Sequence, residues 1–131
     1  MEYLIGLILS LAVAGFAMVV GFDRERAFYP TVLIVTASYY VLFAVEGASA
    51  RTLMIEGVFA SCFLMAAVLG FKRNFWIVPV ALVGHGVFDI FRRFFIVNPG
   101  VPRSWPGFCL AFDVVLAIWI AVRLRKYPMA R

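Results

Sequence analysis

Seven ionisable residues of this chain fall inside long apolar runs: Glu46, Glu56, His85, Asp89, Arg92, Arg93 and Asp113. Such a group near a bilayer centre costs at least about 2.5–3.5 kcal/mol to insert, so it faces a bundle interior, a partner or a water-filled cavity. The densest set lies in the stretch from Gly84 to Arg93. There His85 and Asp89 are four apart, and Arg92 and Arg93 follow Asp89 by three and four. On a helix all four share a face, with Asp89 between the imidazole and a guanidinium. His85 is the only histidine, and its ordinary pKa lets it give and take protons near neutrality. Gly84 and Gly86 strip bulk from either side of it, which admits a close helix or a ligand.

Two further stripes support this set. Thr36, Tyr39, Phe43 and Glu46 follow helical spacing, as do Trp105, Cys109 and Asp113. At 1.5 Å per residue the four carboxylates of Glu46, Glu56, Asp89 and Asp113 fall in one half of the bilayer. The chemistry this permits is acid/base: one carboxyl donates a proton, and His85 or a second carboxylate receives one. Arg92 or Arg93 then fixes a carboxylate or polar head, while Tyr39, Trp105 and Cys109 complete the substrate contacts. Each residue also has a purely structural reading. Asp89 with Arg92 or Arg93 makes an intramembrane ion pair, Glu46 is solvated at the interface, Glu56 pairs with Arg51 or Thr52, and His85 is a buried core histidine.

The elements that carry these residues are apolar runs of membrane-spanning length. Of 131 residues, 65% are hydrophobic and 15% charged, with a mean hydropathy of +1.00. An ordinary soluble domain is about half apolar and a quarter charged, so lipid is expected to cover much of this surface. About 20 apolar residues cross the hydrocarbon core. Five such runs are present, at 2–22, 31–49, 52–71, 75–97 and 106–124. The expected fold is therefore an all-α polytopic bundle of five transmembrane helices forming one domain, 1–131, or of four if the second and third runs do not both cross. Arg24 and Arg26 lie in the first break, with Pro30 suited to the first turn of the next helix. A Pro-rich loop from Asn98 to Gly107 is the one break long enough to fold over a site. The first run has no preceding basic residue and exceeds a signal-peptide core, so it reads as a retained helix. With its Ser10, Ala14, Ala17 and Gly21 it reads as a packing helix. The tryptophans Trp76, Trp105 and Trp119, with Tyr127, fit an interfacial belt.

With five spans, Arg24, Arg26, Lys72, Arg73, Arg123, Arg125, Lys126 and Arg131 lie on one side, against Arg51, Arg92, Arg93 and Arg103 on the other. The positive-inside rule then places the N-terminus outside and the C-terminus in the cytoplasm, in a plasma (inner) membrane. The same scatter of basic residues excludes a nucleic-acid stripe. Cys62 and Cys109 are expected as free thiols. No Walker loop, Gly-x-Ser-x-Gly elbow, dinucleotide fingerprint or intramembrane lysine is present, and no repeated ligand motif calls for a metal. No cofactor is expected.

The stretch from Tyr29 to Ala44, His85-x-x-x-Asp89, and the run from Asn98 through Cys109 to Asp113 together resemble a family of small integral-membrane proteins of bacteria and fungi, a domain of unknown function. The resemblance covers nearly the whole chain and implies a membrane bundle without lending a chemistry. In layout alone, acidic residues and a histidine around a lipid-sized cavity look like the emopamil-binding-type sterol isomerases. The reading that follows is a membrane-embedded acid/base enzyme acting on a lipidic or terpenoid-like molecule, by isomerisation, cyclisation or hydration. The alternative is a small proton- or cation-coupled carrier or channel using the same groups, in which case small size favours a homo-oligomer. Membrane lipid and a hydrophobic small molecule are the expected partners.

Overall fold

The computed structural model describes residues 2–47, 49–94, 96, 100–102 and 104–126, with the side chains of Asp23 and Arg93 outside that description. Five α-helices follow one another: α1 (Glu2–Val20), α2 (Phe28–Gly47), α3 (Ala50–Lys72), α4 (Ile77–Phe91) and α5 (Trp105–Lys126). Short 3₁₀ turns follow α1 at Phe22–Arg24 and α4 at Arg92–Phe94, and the described residues contain no strand. The all-α bundle expected from the apolar runs is what forms, including two separate helices between Phe28 and Lys72.

Helices α1, α2, α3 and α5 are each long and apolar enough to cross a membrane. Helix α4 is shorter than its run of 75–97, because it starts at Ile77 and gives way to the 3₁₀ turn at Arg92. Its 15 residues rise about 22 Å, and the turn extends this to about 28 Å, close to the hydrocarbon thickness. Large apolar side chains are exposed along the helices, as at Val19 (87% exposed) and Met54 (73%). Solvent water would penalise such a surface, whereas acyl chains match it.

The helix ends follow local chemistry. Ser49 caps α3 by accepting from the Thr52 amide at 3.2 Å. At its other end Arg26 donates to the carbonyls of Phe71 and Gly70, placing a cation on the last-turn acceptors, and its guanidinium also lies over the Phe75 ring. Asn74 accepts from the Trp76 amide at 3.1 Å, making the sharp turn into α4. Pro30 sits in the first turn of α2, where a missing amide proton costs nothing.

Helix α5 is the central element, packed on α1 and α4, while α2 packs on α3 and α3 on α4. The α1 face is the small-residue stripe Gly6, Ser10, Ala14 and Ala17, all buried. At Gly6 an added Cβ would meet Phe108 O and would lie 2.9 Å from the Ala111 Cβ, so only glycine lets α1 approach α5 here. The apolar core below the site runs through Tyr29, Leu33, Leu82, Leu116 and Ile120. Trp119 Nε1 donates to the Tyr29 hydroxyl at 3.1 Å, tying α5 to α2.

Candidate functional site

Helix α4 carries His85 and Asp89 one turn apart, both facing inward at 1% and 0% exposure. Across from them α5 presents Asp113, also fully buried. Gly86 stands at this meeting. An added Cβ at Gly86 would already stand 3.4 Å from the Asp113 Cβ and the Leu110 Cα, leaving no space for a longer side chain. Gly84, by contrast, faces open space and bears on no neighbour.

The geometry joins two helices through one ring nitrogen. His85 Nδ1 lies 2.7 Å from Asp113 Oδ2 and 3.5 Å from Asp89 Oδ2. With its proton on Nδ1 donated to Asp113, the imidazole is held in the tautomer whose Nε2 lone pair is basic. The Phe63 ring meets the imidazole edge-on at 4.7 Å between centroids, and the Tyr40 ring lies 6.2 Å away. Packed aromatics on two sides restrict the ring to this orientation.

A second charged pair sits beside the first. Arg92 donates to Glu56 of α3, with both side chains buried. The Arg92 guanidinium also stands 3.8 Å above the Tyr40 ring, a close cation–π contact. Arg92 therefore turns away from Asp89, although the two are three residues apart on one helix end. Glu56 accepts from Arg92. This buried pair joins α3 to α4, and Asp89 lies on the His85 side.

The structure brings together His85, Asp89 and Asp113, with Glu56 and Arg92 adjoining. Glu46 lies apart from them, exposed in the last turn of α2. The Arg93 side chain lies outside the described residues, as do Arg103 and residues 97–99 of the Pro-rich loop. Of that loop, Gly100 packs against the Phe43 backbone. Tyr127 and Arg131 are also outside the description.

Tyr39, Trp105 and Cys109 occupy a different place. With Thr36, Phe108 and Phe112 they line a cavity of about 350 Å³ between α1, α2 and α5, whose rim includes the exposed Leu9 and Val35. Its wall is almost wholly apolar, and Tyr39 and Trp105 meet edge-to-face at 5.1 Å. Cys109 belongs to both places, since its thiol lines the cavity and also faces Asp89. Cys62 is exposed on α3, and both cysteines are free thiols.

Tyr40 and Phe63 are the site residues that sequence reasoning missed. Tyr39 stands on the stripe that runs through Phe43 to Glu46, but the inward face of α2 runs through Thr36, Tyr40 and Ala44, all buried. The four-residue step from Thr36 to Tyr40 was the available signal.

No protein-family model, no curated protein and no solved structure matches this chain.

Proposed function

We propose that this chain is a membrane-embedded acid/base enzyme acting on a lipidic or terpenoid-like small molecule. The observation that carries the reading is a buried His85–Asp113 pair with Asp89 beside it, next to an apolar cavity whose lining includes Cys109, a neighbour of Asp89. Asp113 orients the imidazole, His85 moves the proton, and Asp89 is the second proton carrier. The cavity takes an apolar chain from the lipid through the rim at Leu9 and Val35. Glu56 and Arg92 position α3 and α4 around this centre through their ion pair, and Tyr40 is held against it by the guanidinium.

The excess of Lys and Arg in the flanks near Arg24, Lys72 and Arg125 supports an N-terminus outside and a cytoplasmic C-terminus in a plasma membrane. The test begins with mass spectrometry of the small molecules retained by the purified protein, followed by turnover of those molecules. His85→Ala and Asp113→Asn should keep the helical fold in detergent and lose turnover, and unchanged turnover in both rejects the enzyme reading. The second reading, a proton or cation carrier, is favoured by the unpaired oxygens of Asp89. It requires an Asp89-dependent pH gradient or cation flux in proteoliposomes.

A further inference from the structure

Three carboxylate oxygens are sealed inside the bundle without a hydrogen-bond partner among the described residues: Asp89 Oδ1, Asp89 Oδ2 and Asp113 Oδ1. Both carboxylates are fully buried. Tyr40 and the Cys109 thiol face Asp89. The guanidinium nearest in sequence, Arg92, is engaged by Glu56 and the Tyr40 ring. Unmet buried oxygens are costly, and two carboxylates beside one imidazole are most cheaply neutralised by a charge of +2.

We propose that His85, Asp89 and Asp113 bind one divalent first-row cation of the zinc or manganese type. One ligand atom from each residue lies within 4.8 Å of the other two. Bonds of about 2.1 Å to nitrogen and oxygen put adjacent ligand atoms about 3.0–3.4 Å apart. The observed separations from His85 Nδ1, 2.7 Å to Asp113 and 3.5 Å to Asp89, bracket that span. Small side-chain rotations therefore suffice, and the imidazole proton moves to Nε2. One nitrogen with two carboxylate oxygens suits zinc or manganese better than a purely oxygen-seeking ion such as calcium. The two carboxylates and the cation sum to zero charge, leaving the separate Arg92–Glu56 pair undisturbed. With the ion bound, Nδ1 is a ligand and Nε2 carries the proton, so His85 cannot also be the proton carrier of the enzyme reading; the two are tested separately, because binding is measured by itself.

The test uses the full chain without a histidine tag, purified in detergent, stripped with EDTA and repleted separately with ZnCl₂ and MnCl₂. The expected result is one ion per chain by elemental mass spectrometry, with at least tenfold weaker binding in Asp89→Asn and in Asp113→Asn. Glu25→Gln, in the exposed turn before α2, should bind as the parent does. If either Asn variant fails to fold by circular dichroism, pulsed paramagnetic resonance of Mn²⁺ on the parent reads the site directly. It should show one bound imidazole nitrogen, which in this chain is His85 alone. Failure to retain either metal, equal binding in the Asn variants, or bound Mn²⁺ without nitrogen coupling overturns the proposal.

Discussion

The Arg92–Glu56 pair gives the sharpest test of how charge is managed inside this bundle. Glu56 and Arg92 are 1% and 3% exposed, so neither can turn to solvent when the other is removed. Breaking a buried pair from one side costs about 3–5 kcal/mol, because the remaining charge is uncompensated. In Glu56→Gln the Arg92 guanidinium keeps its place over the Tyr40 ring, a contact of up to about 2 kcal/mol when desolvated, which softens the loss. The expected cost is therefore about 2–4 kcal/mol by the same reasoning. Replacing both residues together by Met restores a neutral apolar interior and should return stability to within about 2 kcal/mol of the parent. Equilibrium unfolding in mixed micelles, followed by helical circular dichroism, measures all three proteins. A cost below about 1 kcal/mol for Glu56→Gln, or a double variant as unstable as the single one, refutes the pair as a stabilising buried ion pair.

Two more outcomes follow from the packing and the flanks. Gly86→Leu should push α4 from α5 at a cost of about 1–3 kcal/mol, whereas Gly84→Leu, which meets nothing, should leave the same unfolding curve unchanged. With the proposed orientation, Glu25→Cys should react with an impermeant thiol reagent only after the cells are opened, and Ser49→Cys should react in intact cells, in both cases on a Cys62→Ser background.

The α1 stripe of Gly6, Ser10, Ala14 and Ala17 shows what helical spacing makes legible. Small residues three or four apart announce a packing face, and α5 lies against it. His85 and Asp89 were equally legible, because a four-residue step on one helix fixes their common side. Asp113 was legible as a buried carboxylate but not as the partner of His85, which lies 28 residues away on another helix. The helical-neighbour rule pointed Arg92 toward Asp89, yet the chain ends α4 in a 3₁₀ turn just there and sends the guanidinium to α3. That choice depends on where α3 packs, and no local spacing encodes it.

Tyr39 and Tyr40 show the same limit from the apolar side. Lipid and protein interior are both apolar, so α2 lacks the polar face that would mark its inward side in water. Tyr39 consequently belongs to the cavity and Tyr40 to the charged centre, with Glu46 exposed beyond both. Composition and run length by themselves determined a polytopic helical bundle and the short roster of buried charges, because hydrophobicity and the cost of charge in lipid act on single residues. Which of those charges meet was decided by tertiary structure alone, because pairing depends on the rotation of each helix about its axis and on close approaches such as that at Gly86.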